Sequence, residues 1–333
     1  MDLDEAAEKL THYSQLDRAG FGRRQQRALL RSGDLVRVHD GWYADGADWT
    51  TAYSEGRQLR RVAAVAASMR SGGAVFSHTS AAAIWGLPLY RWDPARAHVT
   101  LRRGAGASST GGVFRHRDDL PDDDITERHG LLCTSLERTV VDLARSVPTE
   151  TALVIADAAL RAVAHRPGIR RYDVDAALRL RDAMWRLLGT MQGKRGVRQA
   201  RWVLEHADGR AELPGESVSR HHLIQLGYTA VRLQVHVPGP AGADYFVDLG
   251  LDESHAWGEF DGKAKYTDPM MLDGRSPAEV LRAEKEREDW IRATTGRPIA
   301  RWGFEHLVSP EGLARRLAVY GIRAPRRRRS ERT

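Results

Sequence analysis

Charged side chains alternate along the segment WGEFDGKAKY (257–266), where one residue separates Glu259 from Asp261 and Asp261 from Lys263. In a β-strand, residues at this spacing project from the same face. The segment therefore predicts a strand that presents two carboxylates and an ammonium group on one face. The preceding run YFVDLGL predicts a second strand, which pairs with the first in a hairpin.

The register of this hairpin brings another carboxylate into the group. If Leu251 pairs with Ala256, Asp248 lies directly opposite Glu259, with Cβ atoms about 5 Å apart. Like charges placed opposite each other destabilise a hairpin, and a hard divalent cation with oxygen ligands offsets that repulsion. The register therefore predicts a site for a hard divalent cation with Asp248, Glu259 and Asp261 as ligands.

Three simpler interpretations stay open for the same residues. Asp261 and Gly262 are typical of a hairpin turn, although the following KAKYTDP makes a poor second strand. Lys263 would neutralise the two acids if their face were solvated. Glu216 would be a first-turn acid favoured by a helix dipole. Each of these explains one residue, whereas a metal site explains the group.

The segments around these residues predict the element order α-β-β-β-α-β. A helix begins at Pro214, a residue suited to the first helical position, and TAVRLQVHV is the first strand. The hairpin supplies the second and third strands. A long helix then begins with a capping box formed by Ser276 and Glu279 and stops before Gly296. RPIARWGF is the final strand.

This order, with Glu216, Asp248 and Glu259 placed along it, resembles the PD-(D/E)XK nuclease superfamily. It is most similar to the very-short-patch-repair-like endonuclease branch, over about residues 195–320. The resemblance implies a restriction-endonuclease-like αβββαβ domain at 193–322. It also implies that Asp248 and Glu259 hold Mg²⁺, and that Glu216 assists through the metal or its water.

One position departs from the superfamily pattern. The superfamily's lysine falls at Asp261, a change shared with the members that carry an E-x-D-G pattern. Lys263, one pleat further along the same face, would then orient the attacking water. The catalytic residues implied by the resemblance are Glu216, Asp248, Glu259, Asp261 and Lys263.

Residues 1–50 predict a winged helix-turn-helix. Ser14–Ala19 forms a short helix, which in one interpretation extends upstream into EAAEKL. Arg23–Arg31 forms a second helix that Gly33 terminates. The runs LVRV and WYA flank an Asp-Gly pair, which predicts a hairpin.

In this motif the N-terminal part of the second helix enters the major groove, where Arg and Gln pair with guanine and adenine. The alternative is a solvated basic helix on a small all-α module. The residues expected to contact double-stranded DNA are Arg23, Arg24, Gln25, Gln26, Arg27, Arg31 and Arg37.

Residues 51–192 predict an α/β domain. AVFSHTSAAAIWGLPLY indicates a strand that leads into a helix, and the strands HVTLRR and GVFRHR flank the flexible connection GAGASSTGG. A capping box formed by Thr134 and Glu137 is expected to open the helix LERTVVDLAR. We interpret His78 as a structural histidine, because the histidines of the chain do not cluster with Cys or Asp at zinc-ligand spacing.

The runs GDLVRVHDGWYAD, FSHTSAAAIWGLP and LLCTSLERTVVDLAR resemble the AbiEi-type antitoxins of type IV toxin–antitoxin systems, over about residues 1–165. This resemblance implies a DNA-binding transcriptional regulator that represses its own promoter. It also implies a cognate toxin as a partner protein.

Composition limits the cellular context. The charged N-terminus has no apolar signal region, and no run of about 18 apolar residues predicts a membrane span. The single cysteine, Cys133, forms no internal disulfide. These features predict a cytoplasmic protein that does not interact with membranes.

The formal charge of +7 is concentrated in one place. The tail 323–333 holds six arginines and one acid, which leaves only about +2 for the rest of the chain. The tail is typical both of a phosphate-binding segment and of a disordered solubilising terminus. Net charge alone therefore does not establish DNA binding.

Two functions follow from an α+β multidomain chain of this kind. The first is a Mg²⁺-dependent DNA endonuclease that serves phage defence or repair. The second is a non-catalytic antitoxin or transcriptional repressor with an inactive nuclease fold. A nuclease that acts on RNA is a weaker third hypothesis.

Overall fold

The computed structural model has a multidomain α+β architecture with two compact units, Met1–Gly209 and Arg210–Thr333. The residues it describes are 1–69, 74–101, 111–165, 172–262 and 276–325. Three predicted features lie wholly or mostly outside these ranges: Lys263, the GAGASSTGG connection and the end of the basic tail.

The first unit begins with four helices and a small three-stranded sheet. Its helices are α1 Leu3–Glu8, α2 Tyr13–Arg18, α3 Arg23–Ser32 and α4 Gly46–Thr51, and its strands are β1 Thr11–His12, β2 Leu35–His39 and β3 Trp42–Asp45.

The strand order in this sheet is β1-β3-β2. The predicted second helix is present and ends at Gly33, whose φ of 85° requires the left-handed conformation that glycine tolerates. The predicted extension of α2 into EAAEKL is wrong, because β1 intervenes and pairs with β3.

The rest of the first unit combines a larger sheet with a group of packed helices. The elements are α5 Ser54–Ser68, β4 Ala74–Phe76, α6 His78–Ile84, β5 Ala97–Leu101, β6 Val113–Arg117, β7 Ile125–Arg128, β8 Leu131–Thr134, α7 Leu136–Ser146, α8 Thr149–Ala164, α9 Val174–Gly189 and α10 Val197–His206.

The sheet has the order β6-β5-β4-β8-β7, and β5 runs parallel to β6. The capping box predicted from Thr134 and Glu137 is wrong, because Ser135 is the N-cap of α7 and its side chain accepts a hydrogen bond from the Arg138 amide. Sequence reasoning missed α9, which shares an apolar core with α7, α8 and α10. These contacts place α10 in the first unit, whereas the sequence predicted a boundary before it.

The second unit has the predicted element order, followed by one further helix. Its elements are α11 Pro214–Gln225, β9 Val231–Pro238, β10 Asp244–Leu251, β11 Ala256–Phe260, α12 Pro277–Thr295, β12 Ile299–Trp302 and α13 Pro310–Val319. The strand order is β12-β11-β10-β9, antiparallel except for the parallel pair β11 and β12. The predicted capping box opens α12, and Gly296, with a φ of 64°, follows its last residue.

Helices α11 and α12 cover opposite faces of this sheet. Trp257 shares an apolar cluster with Ile291 of α12, whereas a Cβ at the next residue, Gly258, would lie 2.3 Å from the ring of Trp302. The Trp302 indole donates a hydrogen bond to the Ser219 hydroxyl of α11 at 2.7 Å. Because neighbouring residues of a strand face opposite sides, these contacts assign one helix to each face.

A glycine brings the start of α11 against the end of β11. A Cβ at Gly215 would lie 2.1 Å from the Phe260 ring, so only glycine permits this approach. The next residue of the helix is Glu216, which this close approach places near the end of β11.

None of the helices in the described ranges combines the length and the apolarity that crossing a bilayer demands.

Candidate functional site

The hairpin register predicted from the sequence is confirmed. Leu251 pairs with Ala256, and pairing continues to Leu249 and Gly258. One step further, the Asp248 carboxylate accepts a hydrogen bond from the Phe260 amide at 2.9 Å. The Asp248 side chain therefore accepts the hydrogen bond that a backbone carbonyl of β10 would accept if the pairing continued. Asp248 lies at the point where β10 and β11 separate, and we call this point the opening.

Glu216 lies beside the same opening. Its side chain is buried, with 2% of the residue exposed, and its carboxylate accepts hydrogen bonds from the Glu212 amide at 3.0 Å and the Gln234 side chain at 3.2 Å. Burial, followed by the negative charge of Asp248, raises the pKa of Glu216 to about 8, and these two hydrogen bonds only partly oppose the rise. The structure therefore brings two of the predicted residues together.

Gln234 is a member of this site that sequence reasoning missed. Its φ is 47°, in the left-handed region that residues other than glycine seldom adopt. Pairing of β9 with β10 is interrupted here, between the pairs Val235–Val247 and Leu233–Leu249. The intact pairs on both sides hold the unusual backbone in place. An alternating strand pattern gives no signal of such an interruption.

Glu259 is buried on the face that α12 covers, and two arginines surround it. Arg287 forms an ion pair with one carboxylate oxygen and also donates to the Phe246 carbonyl at 2.8 Å. Arg301, its neighbour on β12, lies 2.9 Å from the other oxygen. Paired with two cations, Glu259 has its charge neutralised without a metal.

Arg301 extends this network to α12. It contacts Glu284 at 2.7 Å and Glu288 at 3.0 Å. Burial lowers the pKa of Arg301, but the charges of Glu259, Glu284 and Glu288 outweigh that effect and raise it above its ordinary value. Sequence reasoning considered only Glu279 among the charged residues of α12, as part of the capping box, and missed Arg287 and Arg301.

The remaining predicted acid, Asp261, is half-buried, and its amide donates to the Trp302 carbonyl at 2.8 Å. Among the described residues, the only cluster of three or more potential metal ligands within 4.8 Å of one another consists of histidines in the first unit. The predicted acids therefore do not meet as three ligands at that spacing. They divide into a Glu216–Asp248 pair and a Glu259–arginine network.

The Glu216–Asp248 pair has the chemistry of a divalent cation site. Two carboxylates that are close together and shielded from water repel each other unless a proton or a cation intervenes. Carboxylate oxygens are the ligands that Mg²⁺ and Mn²⁺ prefer. Glu259 is less suited to bind such an ion, because one of its ion pairs with Arg287 and Arg301 would have to break first.

The predicted DNA surface on α3 is only partly exposed to solvent. Gln26 departs from the prediction, since it is buried and its amide donates to the Asp17 carboxylate at 2.8 Å and the Phe21 carbonyl at 2.7 Å. It fixes the turn between α2 and α3. Arg37 lies on β2 and forms an ion pair with Asp40. The exposed members of the predicted set are Arg23, Arg24, Gln25, Arg27, Arg31 and Arg37.

Comparison with known proteins identifies relatives that match most of the chain. No family model matches it. It is 30% identical over 260 residues to uncharacterized protein Rv2248 of Mycobacterium tuberculosis (strain ATCC 25618 / H37Rv), and equally to uncharacterized protein MT2308 of strain CDC 1551 / Oshkosh. Each match covers 78% of this chain and 83% of the relative. The chain belongs to the family of these two proteins. Because the first unit ends at Gly209, a match of 260 residues extends into both units.

The pKa of Glu216 predicts how stability depends on pH. An unfolded glutamate loses its proton near pH 4.5, whereas folded Glu216 keeps it up to about pH 8. Between these values the folded state binds more protons, so the free energy of unfolding falls as the pH rises. We expect Glu216→Gln to remove this fall. Urea denaturation at pH 5, 6.5 and 8 measures the difference.

Glu305→Gln is the matched control, because Glu305 belongs to the same unit and is exposed. It should keep the pH dependence of the wild type. A Glu216→Gln protein that loses stability with pH as steeply as the wild type would contradict the assignment.

Proposed function

We propose that the chain is a DNA-binding protein whose second unit is a Mg²⁺-dependent endonuclease. The observation that carries this proposal is the buried Glu216 beside Asp248, at the point where β10 and β11 separate. The α-β-β-β-α-β order and the mixed sheet β12-β11-β10-β9 support it, because they match the domain that the PD-(D/E)XK resemblance implies. The resemblance itself remains a proposal.

In this function, Glu216 and Asp248 hold Mg²⁺ or Mn²⁺. The metal, when bound, lowers the pKa of its water and stabilises negative charge on a phosphate. Gln234 orients the Glu216 carboxylate through its side-chain hydrogen bond, and the Phe260 amide orients Asp248. Arg287 and Arg301 keep Glu259 neutralised, so that it adds no further repulsion to the pair.

The second candidate is a non-catalytic antitoxin or transcriptional repressor. The ion pairs of Glu259 favour it. The PD-(D/E)XK resemblance implies that Glu259 is a metal ligand, but its carboxylate pairs with Arg287 and Arg301 instead. In that case the Glu216–Asp248 pair would be the remnant of a site, and the second unit would serve binding. The AbiEi resemblance of the first unit, with the cognate toxin that it implies, fits this candidate too.

DNA binding is common to both candidates and is assigned to α3. Arg23, Arg24, Gln25 and Arg27 are exposed along its first turns, where a recognition helix meets base edges. Gln26 holds the helix in place from the buried side. Arginine at these positions supplies both base contacts and phosphate contacts.

Cleavage by the second unit is tested with supercoiled plasmid and short duplexes in Mg²⁺ or Mn²⁺. We expect Asp248→Asn and Glu216→Gln each to lower the cleavage rate by at least about 100-fold, because each removes a metal ligand. Asp244→Asn is the matched control. It lies on the same strand, is exposed and contacts His236, so it should cleave like the wild type.

Cleavage that persists in both site variants would refute the assigned residues. A wild-type protein that cleaves neither duplex DNA, single-stranded DNA nor RNA would refute the endonuclease and leave the repressor.

Binding by α3 is tested with the double variant Arg23→Ala, Arg27→Ala and a fluorescent duplex. We expect weaker binding, and a salt-dependence slope smaller by about 2, since each arginine that contacts a phosphate contributes about 1. The control removes the same charge from exposed positions of α9, with Arg179→Ala and Arg186→Ala. If both double variants lose affinity equally, α3 is not the recognition element.

A further inference from the structure

Three histidines that are far apart in the sequence meet in the first unit. His78 begins α6, His98 lies on β5 and His116 lies on β6. Their ligand atoms all lie within 4.8 Å of one another, although the spacing shows no zinc motif. The interpretation of His78 as a structural histidine is therefore incomplete, because the fold creates a cluster that the sequence does not reveal.

The parallel pairing of β5 and β6 places two of these rings together. His98 pairs with Phe114, and Thr100 pairs with His116, so both histidines project from one face of the sheet, two residues apart along the strands. A ring nitrogen of His116 lies 3.0 Å from one of His98, at hydrogen-bond distance. Each ring is half-buried. Two imidazole nitrogens therefore already face each other.

The third ring comes from a strained position. His78 has a φ of 50° at the first residue of α6, a left-handed conformation that residues other than glycine adopt only at a cost in free energy. Its ring stacks on that of His116, with centroids 3.6 Å apart and planes 8° from parallel. Strain of this kind is common at functional sites. In this chain the strained residue is His78, whose ring is the third member of the histidine cluster.

The protonation state of the three rings suits a metal that prefers nitrogen ligands. Burial, the main cause, lowers the pKa of all three imidazoles, to about 3 for His78, 4 for His98 and 3 for His116. The rings are therefore neutral, as metal binding requires. Asp118, the acid that acts on His78 and His116, is bound by Arg138 and Lys194. Three imidazoles without a carboxylate suit Zn²⁺ and related ions rather than Mg²⁺.

We propose that His78, His98 and His116 form a site for a zinc-type divalent transition-metal ion. Three neutral imidazole ligands fill three positions of a tetrahedral ion and leave the fourth for water or a substrate oxygen. Binding turns the stacked rings of His78 and His116 from parallel to convergent by rotation about their Cβ–Cγ bonds, a torsion with broad minima. The site ties α6 to the edge of the sheet. It is independent of the proposed Mg²⁺ site, which uses carboxylates of the second unit.

The proposal is tested with the full chain, free of any histidine tag and stripped of metal. Zn²⁺ affinity is measured by competition with a chromophoric chelator, and Co²⁺ serves as a spectroscopic substitute. We expect one ion per chain, a Co²⁺ spectrum typical of tetrahedral nitrogen coordination, and affinity at least about tenfold weaker in His98→Ala and in His116→Ala. His236→Ala removes an exposed histidine of the second unit and should bind Zn²⁺ like the wild type.

Wild-type affinity in both His98→Ala and His116→Ala would overturn the proposal. If these variants do not fold, long-range ¹H–¹⁵N spectra of the wild-type imidazoles decide the question. One equivalent of Zn²⁺ should shift the nitrogens of three histidines together, and a spectrum in which fewer than three respond would equally overturn the site.

Discussion

The repulsion between the Glu216 and Asp248 carboxylates is the constraint around which the end of the second unit's sheet is organised. Burial of Glu216 next to a second acid raises its pKa to about 8, so a folded chain at neutral pH must protonate it or supply a cation. The neighbouring residues position these two carboxylates. Gly215 allows Phe260 to bring α11 against the strand, the Phe260 amide binds Asp248, and Gln234 binds Glu216 from an interrupted strand.

Glu259, the other buried acid of the region, has its negative charge neutralised by arginines rather than by a metal. Glu259 lies between Arg287 and Arg301, and Arg301 also engages two glutamates of α12. Removal of one partner from such a buried network leaves an uncompensated charge, which costs about 3–5 kcal/mol. The network therefore ties α12 to the sheet, whereas the Glu216–Asp248 pair costs free energy whenever both carboxylates are charged. A buried acid whose pKa is strongly shifted by burial and a neighbouring charge is typical of a functional site.

Much of this arrangement could be predicted from the sequence, because local signals determine it. The pairing of Leu251 with Ala256 follows from the alternating pattern, and the start of α12 follows from Ser276 and Glu279. The approach of Glu216 to Asp248 is expected only from the PD-(D/E)XK resemblance, since it depends on tertiary packing. The partners of Glu259 could not be found in this way, since Arg287 and Arg301 come from elements whose contacts depend on tertiary packing.

Other contacts in the chain also depend on tertiary packing and could not be predicted from the sequence. The left-handed backbone of Gln234 carries no residue-type signal, because glycine or asparagine would be expected at such a φ. Gln26 has the type and spacing of a base-reading residue, yet the turn between α2 and α3 takes up its amide. His78, His98 and His116 meet only because β5 and β6 pair in parallel beside α6. In each case the deciding contact joins segments that sequence spacing does not relate.

The central claim, that Glu216 and Asp248 together bind a divalent cation, is tested most directly by electron paramagnetic resonance of Mn²⁺, in which bound ions lose the signal of the free aquo ion. The account predicts saturable Mn²⁺ binding that Mg²⁺ displaces and Zn²⁺ at one equivalent does not. It further predicts that Asp248→Asn and Glu216→Gln abolish this binding while Asp244→Asn preserves it. Equal Mn²⁺ affinity in the wild type and the two site variants would contradict the account.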